Sequence, residues 1–234
     1  EADKIIAIVS QQEISEENFE EVVDYENSVI TPGFVNLGAI LEYTNINKPC
    51  EHKSKKRFLF NIKQFFSMLG TPINTYPMKL ANIYKEYCLL SKPEKILYLK
   101  EGLKNALLSG FTCVSEISKD DTLFEILNKS PLKTLFFFDI KSDSKKESKK
   151  VFFKLKKKIK KLKKIQNANT YFGIYPHSIW SVHKSLWGAI SKYSRKMKFP
   201  LMTELMESSD ESDFVKYGKS NLDYLNNFYG YKKI

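Results

Sequence analysis

The 234-residue chain has no uninterrupted apolar run approaching about 18 residues, so no segment reads as a membrane span. Cysteine is scarce: Cys50, Cys88 and Cys113 are odd in number, widely spaced and without a CxxC pair. That excludes a disulfide framework or a zinc knuckle and predicts a reducing, cytoplasmic setting. The only histidines, His52, His177 and His183, do not have metal-ligand spacing. No GxSxG, P-loop or GxGxxG occurs, which argues against a serine hydrolase, a nucleotidase or a dinucleotide enzyme. Residues Glu1 to Val9 lack the basic-then-apolar order of a signal peptide and predict a chain that begins inside a β-strand.

What is present describes a globular chain, with 42% hydrophobic and 14% aromatic residues. The net charge of +11 is local. Residues 145–164 hold twelve lysines against one acid, Glu147, so the rest of the chain sums to zero. Within that run Val151, Phe152, Leu155, Ile159, Leu162 and Gln166 recur at helical spacing. The pattern predicts an outer helix, apolar toward a sheet and lysine-covered toward water, with Phe152 and Phe153 in the core. The rival reading is a weak, salt-sensitive footprint for nucleic acid or an anionic membrane. Twelve lysines and no arginine offer nothing for bidentate base readout.

Two β-prone runs, 4–9 and 21–30, flank an acidic stretch and predict a remnant of a small β-domain over 1–31. From Thr31 short apolar strands alternate with helical stretches, the signature of βα units and a parallel sheet. Buried strands are expected near 33–37, 111–116, 135–140, 171–175 and 200–205. Helices are expected near 56–69, 78–90, 93–108, 122–128, 149–165, 182–196 and 209–216. Ser91 before Pro93, and Asp121 or Thr122, are candidate N-caps, and Gly110 a helix stop. Five strands over 32–234 predict an α/β fold, an incomplete (β/α) barrel, since a full eight-stranded barrel takes about 250 residues.

Four segments carry a likeness in order. Ile30 to Glu42 reads ITPGFVNLGAILE, Leu103 to Val114 LKNALLSGFTCV, Tyr175 to Val182 YPHSIWSV, and Pro200 to Glu211 PLMTELMESSDE. Together they resemble the metal-dependent amidohydrolase superfamily, in its aminofutalosine deaminase-like or chlorohydrolase-like subgroup. The resemblance implies a (β/α) barrel whose metal-bound hydroxide attacks a C–N bond while a carboxylate shuttles protons. It also implies ligands from a first-strand His-x-His, a His on strand five, a His on strand six and an Asp on strand eight. Here Gly38 and Ile40 take the first two places and Glu204 the third, and the last two positions lie beyond residue 234. Glu207 matches the proton-shuttling carboxylate, His177 the loop histidine that approaches substrate, and Glu42 a substrate-side acid after the first strand.

Gly and Ile offer a metal no lone pair. The expectation is therefore an amidohydrolase-type pseudoenzyme without a cofactor, with Glu204 a solvated or salt-bridged carboxylate, serving a binding or scaffold role. The alternative is an active deaminase-like hydrolase that uses zinc or iron in a site completed by a partner chain. Open barrel edges predict self-association or a protein partner.

Overall fold

Along β3 (Lys133–Ile140) successive side chains alternate faces, as a strand's period of two requires. Phe136, Phe138 and Ile140 join Leu99, Leu155, Ile159 and Leu186 on the helix side. Phe137 instead packs with Ile117 and Tyr175 on the opposite side. The computed structural model describes residues 5, 7–10, 21–46 and 76–220. Four strands pair in parallel in the order β1 (Phe34–Ala39), β2 (Phe111–Ser118), β3 and β4 (Thr170–Pro176). Helices α1 (Tyr76–Leu89) and α2 (Lys92–Leu108) precede β2, and the short α3 (Phe124–Asn128) precedes β3. Next come α4 (Lys145–Leu162), α5 (Lys184–Met197) and α6 (Ser209–Tyr217). Parallel strands with helices stacked on one face form an incomplete α/β barrel.

Local chemistry sets the helix ends. The Ser91 hydroxyl accepts from the Glu94 N–H while the Glu94 carboxylate accepts from the Ser91 N–H, a full capping box with proline just inside the helix. Gly110, at φ +80°, ends the turn that feeds β2. The cap before α3 is neither Asp121 nor Thr122. Asp120 accepts from the Thr122 N–H and starts a 3-10 turn, Asp121–Leu123, that runs into the helix. On α4, Leu155, Ile159 and Leu162 are buried and Phe152 packs against them, as its stripe predicts. Phe153 does not: it is 55% exposed beneath the Lys157 ammonium, one position off the buried face.

Three other expectations change. No strand forms among the described residues of the first 32, which make a unit of their own with a turn closed by Ser28 N–H donating to the Tyr25 carbonyl. β1 is not buried, because Phe34, Val35 and Leu37 are exposed at the sheet edge. The fifth strand shrinks to two bridges, Leu201 to Ile174 and Glu204 to Ser178. Pro176 lies between those contacts on β4 and has no N–H to continue the ladder, so the pairing breaks there. The expected helix over 56–69 and the tail from 221 lie outside the described residues. No helix among the described residues is long and apolar enough to cross a membrane.

Candidate functional site

The C-terminal ends of the four strands open on one cavity of about 310 Å³. Gly38 and Ile40, two residues apart on the β1 side, both line it, as strand periodicity demands. Lys119 follows β2, Asp139 and Lys141 bracket the end of β3, and Tyr175 and His177 bracket the end of β4. Glu204 and Glu207 arrive from the segment after α5, and Tyr84 and Tyr87 of α1 complete the wall. The loop after β4 is pinned to its neighbour: Ser142 pairs with Val182, and His183 N–H donates to the Ser142 carbonyl at 2.9 Å. Beyond Glu207, Ser208 caps α6 and the Glu211 carboxylate accepts from the Glu207 N–H at 2.9 Å. That fixes the backbone from which Glu207 projects.

The polar groups form a chain across the cavity. Lys119 Nζ lies 3.6 Å from Asp139 Oδ2, and Asp139 Oδ1 lies 3.6 Å from His177 Nδ1. Those last two atoms are buried, and neither has a hydrogen-bond partner. His177 Nε2 is 4.0 Å from Glu204 Oε2, and the Tyr175 hydroxyl donates to Glu204 Oε1.

Burial, reinforced by the charges of Lys141 and Lys119, holds His177 well below the usual histidine range, so its imidazole is neutral at pH 7. Glu204 is pushed up to about 8, first by burial, with the neighbouring Glu207 adding to the Tyr175-opposed shift. Lys141 is pulled down to about 7 by burial, although Asp139 and Glu204 work in the other direction. Near neutral pH Glu204 is therefore largely a carboxylic acid, while Lys141 is divided between amine and ammonium.

Glu42, Glu204, Glu207 and His177 thus share one cavity lining. Both oxygens of Glu42 are engaged, one by the Tyr87 hydroxyl at 2.6 Å and the other by the Ser118 hydroxyl at 2.8 Å. Glu204 is part-exposed, with 28% of its side chain open to solvent, and it accepts from the Tyr175 hydroxyl. His183 stays out of the site: its Nδ1 accepts from the Ser185 N–H and caps α5. Cys50 and His52 lie outside the described residues. Sequence reasoning missed Lys119, Asp139, Lys141 and Tyr175. Their signal was positional, because each stands at or just past the end of an apolar strand, where a parallel barrel displays its working residues.

The described residues do not fit a family-type metal centre. Gly38 and Ile40 bring no donor atom, and the lysines Lys119 and Lys141 stand among the remaining carboxylates. No group of three or more His, Cys, Asp or Glu among these residues has an arrangement that could hold a metal ion.

No protein-family model matches the chain. A curated relative, adenosine deaminase of Helicobacter pylori, is 24% identical over 205 residues, which are 88% of this chain and 44% of that protein. The crystal structure of Helicobacter pylori aminofutalosine deaminase in complex with methylthio-coformycin superposes with a TM-score of 0.59 at 19% identity. It covers 86% of this chain and 43% of that one. The structure of atrazine chlorohydrolase from Arthrobacter aurescens, complexed with zinc, gives 0.52 at 13% identity over 84% of this chain and 46% of that one. The chain therefore spans less than half the length of each of these three relatives, and metal use is on view in one of them. In fold and in sequence it resembles the amidohydrolase superfamily, in the group of the aminofutalosine and adenosine deaminases.

Proposed function

We propose that this chain is an amidohydrolase-type protein that has given up metal-dependent catalysis and uses its barrel mouth to bind a small ligand or to serve as a scaffold. One observation carries the reading. Where two imidazoles would project from the first strand the cavity has Gly38 and Ile40, and the cation paired with its carboxylate Asp139 is the Lys119 ammonium. Lys119 balances Asp139, and Lys141 lies within electrostatic reach of Asp139 and Glu204. Lys119 supplies Asp139 with positive charge that a metal ion would otherwise bring to such a carboxylate.

The test is metal content by plasma mass spectrometry on protein grown with zinc and iron and then dialysed, followed by an assay for ammonia release from adenosine and aminofutalosine. The expected result is metal far below one equivalent and no zinc-dependent release. Near-stoichiometric metal with zinc-dependent deamination would overturn the proposal.

A second reading is favoured by the closeness of Glu204 and Glu207, since the neighbouring Glu207 helps to raise the proton affinity of Glu204. In it the chain hydrolyses a C–N bond with zinc or iron and a partner chain completing the site, and Glu207 moves the proton. Glu207→Gln should then abolish turnover, and unchanged turnover would remove this version.

The proposal extends to partners. The β1 edge exposes Phe34, Val35 and Leu37, and an open apolar strand edge is a template for association. A second copy of the chain, or another protein, would cover it.

A further inference from the structure

No residue of α4 lines the barrel mouth, so the charge on that helix plays no part in the cavity. Leu155, Ile159 and Leu162 bury one side of the helix, and the opposite side faces water. Phe153, 55% exposed, stands near the centre of that outward side. At 3.6 residues per turn, Lys146, Lys149, Lys150, Lys156, Lys157 and Lys160 fall within about 60° of it, and each is exposed. The 18-residue helix extends this basic strip over about 27 Å.

Little on the protein offsets the charge. Glu147, the one acid on α4, accepts from the Asp143 N–H at 3.0 Å. Asp121 takes Lys158 at 3.0 Å and Lys161 at 3.8 Å, both to one flank of the strip. Among the described residues no other α4 lysine has an ion-pair partner within 4.0 Å. Helix α5 packs alongside, with the Phe152 and Tyr193 rings meeting edge to face at 5.6 Å. Residues 184–198, which contain α5, add five cations and no acid, and Lys192, Arg195 and Lys196 are exposed there.

We propose that the outward faces of α4 and α5 dock the protein on a membrane surface rich in anionic lipid, with Phe153 entering the boundary between headgroups and acyl chains. Docking of this kind holds whether or not the cavity works without a metal.

Charge complementarity selects an anionic partner, and shape selects the bilayer. The strip is a convex ridge whose lysines spread over a broad arc, which suits a plane of headgroups. A single nucleic-acid strand instead tracks a basic groove and stacks its bases on open aromatic faces. Here the Lys157 ammonium lies over the Phe153 ring, 4.6 Å from its centroid. At a bilayer that pair stays intact, the lysine stem along the apolar surface and its ammonium at the level of the phosphates. The absence of arginine from α4 also removes the planar fork that base recognition uses. Point charges suffice for an anionic leaflet, where each lysine near the surface is worth about fivefold in partitioning.

The full chain is spun with vesicles of phosphatidylcholine containing about 30% phosphatidylserine, and with phosphatidylcholine alone, in about 0.1 M salt. It should sediment with the anionic vesicles only, and be released when salt is raised to about 0.5 M. Changing Lys146, Lys149, Lys156 and Lys160 together to Gln should weaken partitioning at least about hundredfold. Gln and Lys have similar helix propensity, so the fold is retained, which a circular dichroism melt checks. Phe153→Trp should add fluorescence that brominated lipid in the anionic vesicles quenches, beyond the parent's signal from Trp180 and Trp187.

No sedimentation with the anionic vesicles overturns the proposal. Equal sedimentation with both kinds of vesicle also overturns it, by assigning the binding to exposed apolar surface such as the β1 edge. A folded four-lysine variant that binds like the parent moves the site off α4, with the same consequence. Retention of a single-stranded oligouridylate without vesicle binding replaces the membrane with RNA. A Phe153→Trp signal untouched by brominated lipid removes the insertion of the ring.

Discussion

Glu116 is fully buried on β2, where one oxygen accepts from the Leu41 N–H at 2.8 Å and the other has no partner. Burial, and then the nearby Glu42, raises its carboxyl well above the usual range. A raised folded-state value means that the folded chain binds more protons than the unfolded chain above the ordinary glutamate value. Stability is therefore present at low pH and is lost as pH rises through the raised value. Glu116→Gln removes that dependence, so its melting temperature should exceed the parent's at pH 8 and differ little at pH 5. Equal pH profiles for parent and variant would show that the residue titrates normally. A second residue, Gly173 on β4, lies beneath the Phe137 ring of β3, and a Cβ there would overlap the ring. Gly173→Ala should cost roughly 1–3 kcal/mol in a denaturant melt by displacing Phe137, the expected range for overpacking.

At the scale of elements, helix ends were readable because their signals are local. Ser91, Pro93 and Glu94 spell out the start of α2, and Ser91→Ala should destabilise the chain by about 1 kcal/mol. A urea midpoint unchanged by that substitution would show that the box contributes little. Strands β2, β3 and β4 were readable for a related reason, since each is a short apolar run bounded by turns. The fifth was not, because its pairing depends on the missing N–H of Pro176 on another strand. The exposure of β1 was likewise hidden, as it reflects which strand ends up at the edge. In the cavity, the likeness to a known motif pointed to His177, Glu204 and Glu207. Lys141 and Asp139 escaped notice because nothing in FFFDIK says which side of a sheet its polar residues face until the register is known.

At the scale of the molecule, the sheet formed by the described residues ends at β1 with apolar side chains in the open. Sedimentation velocity should therefore show concentration-dependent association of the chain, and Val35→Lys should suppress it by adding charge to the edge. A monomer across the whole concentration range would remove self-association from the proposal. The barrel mouth holds one more lesson, at Gly38. A side chain built there meets no atom within 4 Å, and its backbone is not in the left-handed region. Nothing in the packing of the described residues asks for glycine at that point. On the proposed reading, a β-carbon at the place where a ligating side chain would begin meets no obstacle, so the backbone has stayed mechanically open to one.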